Sequence, residues 1–201
     1  MINVLLTGVG GQGTVLAAKV LAQAAQNKGW QVRTAETIGM AQRGGSVVSH
    51  VRMGDASAGE QVNAPLLTRG TADLVIAFEP AEAARVLPYL APDGVLVTAT
   101  TAVQPVTAAL SKEPYRAQDV LAGIEGALQS NQKLVRVDDE ALAQLVGTRK
   151  ALNTVLLTCA VMQNRVPITL DELKEAVAAC VKPRFVDMNL QAVEATVKAL
   201  G

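Results

Sequence analysis

Residues Ile2 to Thr7 form a short apolar run without strict alternation, and Gly8-Val9-Gly10-Gly11-Gln12-Gly13 follows it directly, before helix-forming sequence to about Lys28. A continuous apolar run of this length suits a strand buried on both faces. In the helix, Leu16, Val20 and Ala24 share one face, with Ala17, Leu21 and Ala25 beside them. Gly29 stands where a helix-ending glycine would. A strand, a tight turn and a helix packed back on the strand form a unit of layered α/β proteins, so this feature narrows the fold class first.

The remaining chain extends that unit. Trp30 to Glu36 reads as a second strand, and Ser46 to Met53 as a third, with Val47, Ser49, Val51 and Met53 on one face opposite Val48, His50 and Arg52. Ala72 to Phe78 is a nearly continuous apolar run, Pro80 suits the first turn of a following helix, and Asp93-Gly94 turns the chain into Val95 to Thr98. Lys133 to Val137 reads as another strand, and a helix from about Asp139 ends near Gly147. The stretch 99 to 132 is diluted by Pro105, Pro114 and Gly123 and reads as an irregular insertion, with a helix over Tyr115 to Leu128 as the open alternative. The last quarter is helical: Leu152, Val155, Leu156 and Cys159 form one stripe, Val186, Leu190, Val193, Val197 and Leu200 another. Thr169 and Glu172 between them have capping-box spacing.

The expected fold is therefore an open, Rossmann-like α/β sheet, mostly parallel, with helices on both faces and a helical C-terminal quarter. At 201 residues the chain has enough interior for one core without disulfides or metal. Only five residues are aromatic (Trp30, Phe78, Tyr89, Tyr115, Phe185), so Val, Leu and Ala must fill that core.

Eighteen Lys and Arg balance eighteen Asp and Glu, which leaves no charge footprint for nucleic acid or an anionic membrane. No Lys or Arg precedes Lys19, so the positive flank of a secretory signal is missing, and the longest apolar stretch, Ala151 to Met162, is too short to span a bilayer. Cys159 and Cys180 read as buried free thiols, which fits a reducing cytoplasm. A neutral chain rich in Ala and Val can expose apolar helix faces, and self-association into a homodimer is an expectation for the chain in isolation.

Gly8, Gly10 and Gly13 satisfy G-x-G-x-x-G spacing, and Glu36 lies 23 residues after Gly13, near the offset of the acidic residue in dinucleotide sites. One reading gives Gly8, Gly10, Gly11, Gln12 and Gly13 to a phosphate and Glu36 to a ribose, as in a stand-alone nucleotide-binding module or a small NAD(P)- or flavin-dependent enzyme. The other leaves the glycines to strand–helix packing alone. In Gly39-Met40-Ala41-Gln42-Arg43-Gly44-Gly45, a flexible backbone carries a guanidinium fork. Gln42, Arg43, Gly44 and Gly45 are candidates to meet a ligand or a partner subunit, against the plainer reading of an exposed turn.

No catalytic set accompanies these loops. His50 is the sole histidine and has no nucleophile pattern beside it. Two cysteines cannot supply the ligands of a zinc site or a [4Fe–4S] cluster, and no Gly-Lys-Ser/Thr follows the turn. Neither a catalytic residue nor a metal ligand is assigned.

The turn Gly8 to Gly13, the loop Gly39-Met-Ala-Gln-Arg-Gly-Gly-Ser46 leading into Ser49-His50-Val51-Arg52, the run Ala72 to Pro80 and the segment Asn189-Leu190-Gln191-Ala192 together resemble the gamma-type domain of 2-oxoacid:ferredoxin oxidoreductases. More narrowly, it resembles the beta-subunit type of the indolepyruvate branch, and the resemblance spans Ile2 to about Leu200. It implies one gamma-type domain over residues 1–201 and an accessory role in oxidative decarboxylation of an aryl-pyruvate, with coenzyme A as co-substrate and ferredoxin as acceptor. It further implies that thiamine diphosphate and the iron–sulfur clusters sit on a larger alpha subunit. Gly54-Asp55-Ala56 is a poor match to a thiamine motif, and Lys182 to Asn189 departs from the family's usual wording.

Overall fold

A computed structural model describes residues 1–39, 45–103 and 115–201. β1 (Ile2–Val9) lies third in a six-stranded sheet of order β2-β3-β1-β4-β5-β6. The others are β2 (Gln31–Ile38), β3 (Ser46–Gly54), β4 (Ala72–Ala77), β5 (Leu90–Ala99) and β6 (Lys133–Val137). β1, β4, β5 and β6 are mutually parallel, while β3 runs antiparallel to both β1 and β2. The sheet is thus mostly parallel, with β3 alone reversed.

Residue alternation along β1 sorts the core into two layers. Val4 and Leu6 enter a cluster with Val51, Leu74, Ile76 and Val97, and Leu5 enters one with Val75, Ala77 and Leu96. The first face is covered by α1 (Thr14–Asn27), α4 (Asp139–Val146), α5 (Leu152–Val161), α6 (Leu170–Cys180) and α7 (Val186–Leu200). The second carries α2 (Pro80–Val86) and α3 (Ala117–Ala127). Ala17, Ala18, Ala24 and Ala25 of α1 are almost fully buried, and their small side chains bring the helix close to the sheet. Each fully buried Leu, Ile or Val contributes about 1.5–3 kcal/mol of burial free energy, before the entropy that ordering costs.

Local chemistry sets the helix ends. Gly29 has φ 78° just beyond α1, Pro80 opens α2, and the Thr169 hydroxyl accepts from Glu172 N while the Glu172 carboxylate accepts from Thr169 N. Three expectations are corrected. Asp93-Gly94 lies inside β5, where the β4–β5 register shifts; a Cβ on Gly94 would stand 2.7 Å from the Ala72 carbonyl, so this glycine serves close strand approach. The stretch 99 to 132 contains the end of β5 and α3, whose Leu121 and Ile124 fill the second cluster, so it is not an irregular insertion there; residues 104–114 lie outside the described residues. Cys180 is half-buried at the end of α6, unlike the fully buried Cys159. Among the described residues, no helix is long and apolar enough to cross a membrane.

Candidate functional site

The glycine turn is held by its own glutamine. Gln12 Oε1 accepts from Val9 N at 2.8 Å and Gln12 Nε2 donates to the Phe78 carbonyl at 2.8 Å, which ties the ends of β1 and β4 together. Gly8 makes room for this: a Cβ there would stand 2.7 Å from Gln12 Oε1 and 3.0 Å from Phe78 Cβ. Gly13, with φ 82°, opens α1 from the left-handed region, and a Cβ on it would stand 2.9 Å from Asn153 Nδ2. Among the described residues no side chain caps α1, and its first turn holds no acidic residue, so its N-terminal amides carry the positive end of a fourteen-residue helix without a side-chain acceptor there.

That end borders a cavity of about 630 Å³, which runs from Gly11–Gly13 to the α6–α7 connection. Phe78, Leu156 and Met188 supply apolar wall; Lys150, Lys182 and Asn153 supply polar groups. Asn153 is only 8% exposed, and its side-chain amide has no hydrogen-bond partner among the described residues. Its amide therefore offers a donor and an acceptor to the cavity that it lines. Lys150 and Lys182 have no ion-pair partner among the described residues, whereas Arg149 leans toward Asp139 at 3.8 Å and Glu140 at 4.0 Å. Asp139 Oδ1 accepts from Thr100 N and Thr101 N at 3.0 and 2.9 Å and so fixes the opposite wall. Cys180 also lines the cavity; burial raises its pKa, which keeps it a thiol. The lining thus combines an apolar wall with the cations Lys150 and Lys182 beside the N-terminal end of α1.

Gly8, Gly10, Gly11, Gln12 and Gly13 come together in the turn, and Gly45 joins them, since Gly10 N donates to the Gly45 carbonyl at 2.9 Å. Gln42, Arg43 and Gly44 lie outside the described residues. Glu36 stays apart: β3 separates β2 from β1, and Glu36 is exposed on β2, lining a separate groove with Val15 and Lys19 of α1. The ribose-binding arrangement of a dinucleotide fold needs that acid beside the turn, and this sheet order removes it. Gly54-Asp55 lies at the end of β3, where Asp55 accepts from Ser57 N to close a single helical turn. His50 is buried, and its Nδ1 accepts from Leu67 N at 3.2 Å; burial lowers its pKa, which fits a neutral ring with a structural task.

Asn153, Lys150 and Lys182 were not evident as site residues in the sequence. One signal was present: Asn153, Thr154 and Thr158 interrupt the most apolar helix. Thr158 Oγ1 donates to the Thr154 carbonyl, Thr154 Oγ1 donates to Asn189 Oδ1 at 2.6 Å, and Asn189 Nδ2 donates to the Phe185 carbonyl. The Thr154–Asn189 bond joins α5 to the start of α7, the other two lie one within each of these segments, and Asn153 lines the cavity.

Comparison with known proteins agrees over the whole length. Residues 3–199 match the family model of pyruvate ferredoxin/flavodoxin oxidoreductase. The indolepyruvate oxidoreductase subunit IorB of Archaeoglobus fulgidus is 37% identical, over 96% of this chain and 92% of its own length. That of Pyrococcus horikoshii is 34% identical, over 98% and 95%. The gamma subunit of a keto/oxoacid ferredoxin oxidoreductase from Geobacter sulfurreducens has the same fold, with a TM-score of 0.68 at 19% identity over 98% of this chain and 97% of that one. The 2-oxoglutarate:ferredoxin oxidoreductase of Magnetococcus marinus, solved with 2-oxoglutarate, coenzyme A and succinyl-CoA, aligns with all of this chain over 31% of its own, at a TM-score of 0.70 and 18% identity. A [4Fe–4S] cluster needs four thiolates; this chain has two cysteines, one of them with its thiol pushed up to about 12 by burial, so its residues do not fit such a cluster. Among the described residues, no group of three His, Cys, Asp or Glu could hold a metal ion. With turn, sheet and tail all accounted for by one alignment, the chain belongs to the pyruvate ferredoxin/flavodoxin oxidoreductase family.

Proposed function

We propose that residues 1–201 act as one gamma-type domain, the accessory subunit of a cytoplasmic 2-oxoacid:ferredoxin oxidoreductase. The assembled enzyme oxidatively decarboxylates indolepyruvate or another aryl-pyruvate to the aryl-acetyl-CoA and carbon dioxide and passes the electrons to ferredoxin. A larger alpha subunit carries thiamine diphosphate and the iron–sulfur clusters. The observation that carries this reading is the near-complete, 33–37% identity to four proteins named as indolepyruvate oxidoreductase subunits.

The site supports a binding task rather than a reacting one. Anionic groups of coenzyme A meet the uncapped amides of α1, Lys150 and Lys182, and the pantetheine arm follows Phe78, Leu156 and Met188. Asn153 completes its hydrogen bonds on the same ligand. The test is co-expression with a thiamine-bearing large subunit and purification through this chain. Co-elution of a brown, iron-containing partner with thiamine diphosphate is expected; a colourless chain that elutes alone from a lysate containing the folded large subunit would contradict it.

A further inference from the structure

We infer that Glu82 is a positioning residue for the glycine turn, acting through Ser46 and Gly45. Glu82 lies on α2, on the opposite side of the sheet from α1, and is only 5% exposed. Its Oε2 accepts from the Ser46 hydroxyl at 2.5 Å, and its Oε1 stands 3.3 Å from Arg85 Nε. Its own backbone amide donates to Glu79 Oε2 at 3.0 Å, so the carboxylate is presented from a capped helical turn. Ser46 opens β3, and its carbonyl accepts from Gly39 N at 2.8 Å; the residue before it, Gly45, accepts from Gly10 N at 2.9 Å. One chain of contacts therefore runs from Glu82 through Ser46 and Gly45 to the amide of Gly10.

Two physical points give that chain a task. Burying a carboxylate is costly, and a single hydroxyl with one mostly exposed arginine is modest compensation if the group only packs. Glycine-rich backbone is also poor at holding its own shape, because each glycine has more conformational freedom to lose than any other residue. A turn that presents amides to a ligand needs an anchor outside itself. Gln12 anchors it on the β4 side and, through Ser46, Glu82 anchors it on the β3 side. Loss of this second anchor loosens the ligand-facing backbone and leaves the chemistry, on another chain, unaltered.

This inference rests on the reading of the turn as part of a coenzyme A site, and the test separates the two. In the complex with the large subunit, Glu82→Ala and Ser46→Ala are each expected to raise the KM for coenzyme A by about 5- to 20-fold, the scale of one lost charge-assisted hydrogen bond. Turnover at saturating coenzyme A should change by less than about twofold. The double variant should be no worse than the worse single one, and Glu82→Gln, which keeps an acceptor, should recover most of the loss. An unchanged KM in both single variants of an active complex, or additive effects in the double, would overturn the positioning role. If the wild-type complex turns over without coenzyme A, the functional reading fails instead. The anchor is then still tested in the isolated chain, where Ser46→Ala and Glu82→Ala should speed hydrogen exchange of the Gly10 amide by about tenfold or more. Unchanged exchange would refute it, and if Glu82→Ala does not fold, Ser46→Ala carries both measurements.

Discussion

The two halves of the sheet follow different rules. β1, β4 and β5 are buried on both faces, and their apolar runs carry no alternation. The β2–β3 wing is antiparallel, and six of the eight residues of β2 are exposed. In a dinucleotide fold the second strand lies against the first and brings its acidic end to the glycine turn. Here β3 occupies that place, so a matching motif spacing in sequence does not produce a matching site in space. What the wing brings to the turn is Gly45, by a backbone hydrogen bond, and not Glu36.

A side-chain truncation in each half should separate the two by the size of its cost. Leu74→Ala, in β4 and fully buried, should lower the unfolding free energy by about 2–5 kcal/mol in denaturant titration. Val32→Ala in β2 should lower it by about 1 kcal/mol or less, because its site is already partly open to water. Equal losses would mean that the wing is as tightly integrated as the parallel half. Next in size are the turn glycines. Gly13→Ala combines a left-handed backbone with a contact on Asn153 and should cost about 1–3 kcal/mol, and Gly8→Ala a similar amount through Gln12 and Phe78. Replacing Gln12 by Ala together with Gly8→Ala should relieve part of the second loss, which a double-mutant cycle reads directly.

Acid and base should affect the two halves with opposite sign. His50, in β3, has its pKa lowered by burial, so the unfolded chain binds the extra proton first: stability is full above the ordinary histidine pKa of about 6.5 and declines as pH falls below it. Glu79, the N-cap of α2 just beyond β4, has its pKa raised, chiefly by burial, so its contribution is full below the ordinary glutamate range and declines as pH rises through the folded value. His50→Asn should flatten the acid limb of the stability profile and Glu79→Gln the limb that falls with rising pH; thermal melts across that range check both. The smallest effect belongs to Glu36→Ala, which should change stability by about 0.5 kcal/mol or less and leave coenzyme A binding untouched.

How much of this could be read in the sequence divides along the same line. β1, β4 and the second half of β5 are legible because burial on both faces leaves a local signature of consecutive apolar residues, and Gly29, Pro80 and the Thr169–Glu172 pair mark helix ends by local chemistry. Strand order is not local. Nothing between Trp30 and Met53 states that β3 inserts between β2 and β1, because that choice depends on which edges remain unpaired once both strands exist. The site divides likewise: Gly8 to Gly13 are contiguous and visible, while Asn153, Lys150 and Lys182 reach the turn only through the packing of α5 and the α6–α7 connection. Asn153 was visible as an interruption in an apolar helix, and without the fold it had no address. Gln12 reads as a ligand contact because it sits among glycines; in the fold it lines the cavity and its amide also bonds Val9 and Phe78, a holding task that the sequence does not disclose.

In the proposed accessory role this chain binds and shapes while the large subunit reacts. That division is checked by assaying 2-oxoacid- and coenzyme-A-dependent reduction of a viologen dye with this chain alone, with the large subunit alone and with the reconstituted pair. Activity from the pair and from neither chain alone is the predicted result. Dye reduction by this chain alone, or a large subunit whose full coenzyme-A-dependent rate is unaffected by adding it, would contradict the account.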